Sequence, residues 1–416
     1  MTAPSPPTRK LQLGGTHRLI PPAETVARMR RLMPVMGITR IANVTGLDFI
    51  GIPVVMVCRP NARSLSVSQG KGLDLDAARA SGLMESIELY HAERVTLPLK
   101  LATLNELRFS HAMVDVNALP RISISPFHAN LKLLWIEGFD LLNQQPIWLP
   151  YEMVHSNYTL PLPTGSGCFV MSSNGLASGN HPMEALIHGL CEVIERDATT
   201  LWYLQEEKMQ DRVKLDLDAV DDPACRGILD RYARAGISVA AWDITSDVGI
   251  PVYFAVIIDR DGGESSLRML YPTHGAGCHP IREVALLRAL TEAAQSRLTF
   301  IAGSRDDGGR GKYRQARDHE VLARTRARIA GRGARLLSAA PSYPADTFEE
   351  DVVLLLGRLR AAGITQAAVV DLTRPEFEVP VVRVVVPGLE SLHEAPGYVP
   401  GPRTERVLLA RTDAPR

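Results

Sequence analysis

The sequence predicts an α/β fold of the α+β kind, built from three related α-β-β modules with helical inserts between them. Two patterns carry this. One punctuation recurs three times: a helical stretch, a Gly, a strand-like run, a short turn, a Pro and a second strand-like run. In addition, three separate segments each run from a Gly-rich turn into a helix. The polar residues of these helices fall at steps of three and four, which places them on one face.

In the first module, residues 24–36 read as helix, Gly37 as its stop, and ITRIANVTGL as a strand leading through Gly51-Ile52-Pro53 into VVMVCR. The second runs from a helix at 228–235 through Gly236, SVAAWDIT and Gly249-Ile250-Pro251 into VYFAVII. The third runs from a helix at 353–362 through Gly363, TQAAVVDLT and Val379-Pro380 into VVRVVV. A Gly just past a helix suits the left-handed C′ position. A Pro suits the first residue of a strand, where its missing N–H is tolerated. The copies are unequally spaced, which excludes a solenoid.

The inserts hold the polar chemistry. In residues 66–94, Ser68, Gly70, Lys71 and Gly72 read as a turn and Asp76 as the N-cap of a helix. Ser81, Glu85 and Glu88 share one face of that helix. Residues 95–165 read as a meandering connection with one strand at 133–138. In residues 174–196, a turn with Pro182 opens a helix that carries Glu184, His188, Glu192 and Glu195 in one column, with Leu186, Leu190, Val193 and Ile194 opposite. Like charges four apart repel by a few tenths of a kcal/mol per pair, so the column calls for a cationic partner. The third Gly turn, at 274–280, leads to Arg288 and Glu292 one helical turn apart, with Ala289 and Ala293 small enough to admit a close neighbour. Residues 304–340, rich in Arg and Gly, read as a mobile loop plus an exposed helix that would suit a lid. Residues 391–416 read as a Pro-rich, poorly ordered tail. The domain reading is an N-terminal module with a flexible leader over 1–65, a core over 66–390, and the tail.

Composition narrows the class. The chain has 416 residues, 45 % apolar and 22 % charged, as in ordinary soluble proteins. Its net charge of zero argues against nucleic acid or an anionic membrane as the main partner. There is no run of membrane-span length and no secretion signal. Five cysteines without a C-x-x-C pair point to reduced thiols and a cytoplasmic address.

Free N–H groups at Gly turns and helix N-termini favour an anion such as phosphate. Clustered carboxylates favour a hard cation, Mg²⁺. Together they suggest a nucleotide site without a G-x-x-x-x-G-K-[ST] loop. Simpler readings stand beside this one. Arg288 and Glu292 can form an intrahelical salt bridge, His188 a structural hydrogen bond, and Cys191 a buried thiol. His181, His274 and His279 sit in loops, and nothing selects one of them for catalysis, so no catalytic residue is assigned.

These segments resemble the signature of YcaO-domain proteins. They read S-x-G-K-G at 68–72 followed by Ser81, Glu85 and Glu88; N-G-x-x-x-G-x-x-x-x-E-A-x-x-x-x-x-x-E-x-x-E-R at 174–196; and R-A-x-x-E-A-x-x-x-R at 288–297. The resemblance covers roughly residues 10–390. It implies a YcaO-type fold with an ATP site in which Glu85, Glu88, Glu184, Glu192 and Glu195 bind Mg²⁺. It also implies that Ser68, Lys71, Asn180, Arg196, Arg288 and Glu292 contact nucleotide. Lys10 and Thr16, in KLQLGGTHR, resemble the family's N-terminal nucleotide contacts. The implied chemistry is ATP-dependent O-phosphorylation of a peptide backbone amide. The runs GLMESIELYHAERV and NGLASGNHPMEALIHGLCEVIERDA look closest to members associated with TfuA proteins. Those install thioamides on a peptide or protein using a sulfide source, so a TfuA-like partner is expected. An azoline-forming cyclodehydratase and a non-catalytic nucleotide-binding accessory protein are the alternatives. A homodimer is expected from the family alone.

Overall fold

The computed structural model describes residues 7–13, 15–260, 272–305 and 319–406. A hairpin of β1 (Leu11–Leu13) and β2 (Thr16–Arg18) opens the chain. Helices α1 (Pro22–Arg30) and α2 (Met33–Met36) follow, and α2 ends on left-handed Gly37. Strands β3 (Arg40–Asn43), β4 (Val54–Cys58) and β5 (Val67–Lys71) form an antiparallel sheet that carries α3 (Leu75–Glu93). Next come β6 (Leu99–Ala102), α4 (Leu104–Leu107), β7 (Leu133–Asp140), β8 (Gln145–Pro150) and β9 (Leu176–Ser178), which lead into α5 (Pro182–Tyr203). After α6 (Glu207–Asp211) and α7 (Pro223–Arg234), β10 (Ile237–Asp243), β11 (Val252–Asp259) and β12 (Thr273–Cys278) form a second antiparallel sheet under α8 (Arg282–Ala302). Helices α9 (His319–Ala330) and α10 (Phe348–Ala361) precede β13 (Ala368–Asp371) and β14 (Val381–Val385). These two strands join a six-stranded sheet in the order β6-β7-β13-β14-β9, with β8 also on β7.

Each α-β-β module is therefore completed by a third strand and a long helix. In the first two modules these follow directly, as β5-α3 and β12-α8. In the third they come earlier in the chain, as β9-α5, so the repeat is permuted and its spacing in sequence is uneven. The copies match bond for bond. The carbonyls of Pro53, Pro251 and Pro380 accept from the amides of Gly72, His279 and Gly179, each at 3.2 Å. The side chains of Asn43, Asp243 and Asp371 accept from the amides of Thr45, Thr245 and Thr373 at 3.1, 3.1 and 2.9 Å. The three Thr hydroxyls in turn accept from the amides of Val54, Val252 and Val381 at 3.1, 3.2 and 3.1 Å. This Asx-x-Thr clamp fixes the turn between the paired strands.

The third strand lies almost against its helix, which explains the glycines. A Cβ on Gly70 would stand 2.0 Å from the Ala78 carbonyl oxygen, and one on Gly277 would stand 2.2 Å from that of Ala285. Residues read from sequence as Gly turns at 68–71 and 274–278 are therefore strands; the turn into α3 comes after them. Its N-cap is Asp74, which accepts from the Ala77 amide at 2.7 Å, and not Asp76. Residues 95–165 hold three strands of the large sheet rather than one. The C-terminal segment is docked at residues 403–404: Arg403 is buried and bridges Asp197 and Asp247, and Thr404 is buried beside it. Of the proposed lid, residues 306–318 lie outside the described residues. Helix α9 is anchored, because Lys214 reaches the carbonyls of Arg328, Ile329 and Gly331 at its end.

Gly277→Ala should cost about 1–3 kcal/mol or more by overpacking. The check is a fall in the urea midpoint at unchanged slope. A wild-type midpoint would show that α8 and β12 have room to spare.

Candidate active site

The three long helices close a ring. Helix α3 touches β9, α5 touches β12, and α8 touches β5, so each packs on its own sheet and on the third strand of another. At the centre is a cavity of about 1060 Å³. It brings together Thr16, Lys71, Glu85, Glu88, Asn180, Glu184, Glu192, Glu195, Arg196, Arg288 and Glu292. Two residues that the resemblance assigned to nucleotide lie outside this lining. Lys10 is bound to Asp351 at 2.7 Å, with its side chain 1 % exposed. Ser68 is buried within β5.

Matching positions on the three helices hold matching bonds. Glu85, Glu192 and Glu292 each accept a backbone amide from the strand segment beneath: Gln69 at 3.1 Å, Gly175 at 3.3 Å and Ala276 at 3.3 Å. The partner lies 16, 17 and 16 residues earlier in the chain. Three amides of these Gly-rich segments are thus taken by carboxylates. Glu88 accepts from the amide and hydroxyl of Ser178, at 2.8 and 2.7 Å, which ties α3 to β9. Glu292 pairs with Lys71 of a different sheet, and Arg288 donates to the Cys278 carbonyl at 2.9 Å. The intrahelical Arg288–Glu292 bridge is not what forms. Glu184 holds the N-terminal hairpin through Arg18 at 3.2 Å and the Leu19 amide at 3.2 Å. Asn180 is bonded to Thr25 of α1.

Charge is crowded here. Burial, more than neighbouring carboxylates, pushes Glu88 up to about 8 and Glu192 up to about 7. Glu85 and Glu195 are also raised, chiefly by burial. For Glu292, burial acts in the same direction, but Lys71 and Arg196 outweigh it and pull its acid below the usual range. Burial, then Arg288, Arg18 and Lys71, keep His188 neutral. His188 lines the cavity. Cys191 is buried, as expected. His181 and His279 each accept a backbone amide at Nδ1, from Met183 and Ile281.

Sequence reasoning passed over Arg18, Gln295, Arg305 and Glu394, which also line the cavity. Arg18 arrives on the N-terminal hairpin and Glu394 on the docked C-terminal segment, and no periodicity announces either.

Residues 69–390 match the family described as "YcaO cyclodehydratase, ATP-ad Mg2+-binding". The chain belongs to the YcaO family. A protein from Rhizobium leguminosarum bv. trifolii, named for its place in the tfuA 3′ region, is 38 % identical over 376 residues, covering 90 % of this chain and 88 % of the relative. One from Methanothermobacter thermautotrophicus is 36 % identical over 388 residues, covering 91 % and 96 %. Among solved structures, YcaO from Methanopyrus kandleri bound with AMPPCP and Mg²⁺ superposes with a TM-score of 0.73 at 24 % identity over 95 % of this chain and 99 % of that one. A heterocyclase in complex with substrate and cofactor superposes at 0.76 and 24 % over 97 % of this chain. This chain spans 57 % of that heterocyclase's length. At these identities the likeness shows the fold.

The family's ATP and Mg²⁺ suit the residues present. Among the described residues, no three His, Cys, Asp or Glu side chains form a cage for a metal on their own. Mg²⁺ seldom needs one, since it takes one or two carboxylates and completes its shell with phosphate oxygens and water. No described helix is long and apolar enough to cross a membrane.

The raised acids set a pH dependence. Between the ordinary glutamate value of 4.5 and about 8, the folded chain holds a proton on Glu88 that the unfolded chain has lost. The stability that Glu88 contributes is therefore full at low pH and falls as pH rises through this window. Glu88→Gln keeps a neutral acceptor for Ser178. In ligand-free melts, this variant should gain on wild type steadily from about pH 5 to about pH 8. Parallel profiles would contradict the burial of that carboxylate.

Proposed function

We propose that this YcaO chain uses ATP and Mg²⁺ to O-phosphorylate a backbone amide of a peptide or protein. Sulfur from a sulfide donor would add to the carbonyl carbon, the resulting oxyanion would take the γ-phosphoryl group as ADP leaves, and the C–O bond would break to release phosphate and give a thioamide, with a TfuA-like protein as the sulfur-handling partner. The observation that carries the first part is the cavity where carboxylates of α3 and α5 meet Lys71, Arg196 and Arg288. The second part is supported by likeness to the relative from the tfuA 3′ region.

In this reading, Glu85, Glu88, Glu184, Glu192 and Glu195 would hold Mg²⁺. Lys71, Arg196 and Arg288 meet the phosphates. Asn180, Thr16 and Glu292 orient the nucleotide, while Lys10 and Ser68 position the segments that reach it. The nucleotide supplies the phosphoryl group that turns the amide oxygen into a leaving group. Phosphoryl transfer depends on in-line placement and charge neutralisation, so the chain needs no covalent group of its own.

Glu192→Gln should abolish peptide-dependent ATP hydrolysis while leaving the chain folded; wild-type turnover would refute the metal role. Arg288→Ala should weaken ATP binding far more than it lowers stability, and the reverse would make Arg288 structural. The product decides the nucleophile. Incubation with ATP, sulfide, a TfuA-like partner and a candidate peptide should raise the peptide mass by the difference between sulfur and oxygen. Loss of one water would instead mark azoline formation. ATP turnover indifferent to any peptide would mark an accessory role.

A further inference from the structure

The central cavity has two ends. At one, the N-terminal hairpin meets the first turns of α3 and α8: a Cβ on Gly15 would stand 2.0 Å from Leu287 and 3.3 Å from Leu73. Lys71 and Arg288, the cations read above as phosphate contacts, lie beside these residues in the chain and line the same space. The other end is reached by following α8 to its left-handed stop at Gly303, about 22 Å beyond Arg288 at 1.5 Å per residue. There Phe300, Gly303 and Arg305 line the cavity, with Leu65 from the segment that leads into β5.

The chain is held in place at this second end. The Thr299 hydroxyl donates to the Gln69 side chain at 2.5 Å, and the Ser304 hydroxyl donates to the Met56 sulfur. Arg305 therefore follows an anchored residue. Glu85 sits between the two ends, its carboxylate accepting the Gln69 amide at 3.1 Å. Burial raises its acid, and of the charges that pull it back Arg305 acts more strongly than Lys71. Arg305 thus bears on a carboxylate read as a Mg²⁺ ligand from the C-terminal side of α8, whereas Lys71 and Arg288 approach from the hairpin side.

We propose that the Arg305 guanidinium contacts the γ-phosphoryl group while it passes from ATP to the amide oxygen, and that Arg305 is a catalytic residue of the transfer. The inference rests on the nucleotide reading above. In the step, the bond from phosphorus to the ADP oxygen breaks, and the departing ADP keeps the electron pair. A new bond forms from the oxyanion of the adduct to phosphorus, and Arg305 keeps its proton throughout. Charge in such a transfer spreads over three equatorial oxygens. A planar fork of N–H donors matches that arrangement better than a point charge does. The apolar side chains of Leu65 and Phe300 lower the local dielectric at this end, which strengthens the attraction. Lys71 and Arg288 would then hold the nucleotide before and after transfer, and Arg305 would act on the group in transit.

Isothermal titration of the full chain with Mg·ADP, with and without aluminium tetrafluoride, tests this. The fluoride beside ADP stands in for the phosphoryl group in transfer. Wild type should bind Mg·ADP about a hundredfold more tightly when the fluoride is present. Arg305→Ala should bind Mg·ADP as wild type does and lose at least about tenfold of that gain. Where Arg305→Ala does not fold, Arg305→Met, which keeps much of the stem, takes its place. An undiminished gain in the variant overturns the proposal, as does a wild type that gains nothing from the fluoride. Weakened binding of Mg·ADP alone in the variant also overturns it, because Arg305 would then hold the resting nucleotide. A wild type that does not bind Mg·ADP at all would instead bring down the nucleotide reading, and this inference with it.

Discussion

Eight acidic and five basic side chains line the central cavity, and this excess of negative charge is the constraint on which the rest depends. Removed from water, carboxylates would rather keep their protons than repel one another. Glu88 and Glu192 show this most clearly, with burial as the main cause. A structure that gathers such groups without enough fixed cations is suited to mobile ones. The backbone amides given to Glu85, Glu192 and Glu292 hold the three carboxylates in place, so the charge is positioned before any ligand arrives.

The ring of helices is what makes this gathering possible. No single module could do it, because each long helix presents its polar column to the centre only when a neighbouring third strand supports it. The close glycine contacts at Gly70 and Gly277 set how near each helix lies to its own strand. The bond from Glu88 to Ser178 and the pair between Lys71 and Glu292 then cross from one sheet to another. Packing and polar chemistry are thus carried by the same contacts. A change in helix seating would move both partners of each bond.

Much of this was legible in the sequence, for physical reasons. Polar residues at helical spacing must share a face, which is why Glu85 with Glu88, and Glu184 with Glu192 and Glu195, could be grouped. The three Gly-stop and Pro-start marks revealed the modules, since backbone conformation limits what those positions accept. Less legible was anything set by long-range pairing. The strands at 68–71 and 274–278 looked like turns because their glycines answer to a helix above them, which local propensity does not see. Arg18 and Glu394 reach the cavity from the two ends of the described chain. The segment docked through Arg403 was read as loose because its anchor, Arg403 on Asp197, spans 206 residues. The permuted third module hid β9 and α5 from the repeat to which they belong.

The account turns on divalent cations drawing carboxylates of α3 and α5 to a shared triphosphate. The most direct measurement is anomalous scattering from crystals of the full chain with Mn²⁺ and a non-hydrolysable ATP analogue. The account predicts manganese peaks between Glu85 and Glu88 on one side and Glu192 and Glu195 on the other, each in contact with phosphate oxygens. Manganese bound elsewhere, or a nucleotide seated away from both helices, would contradict it.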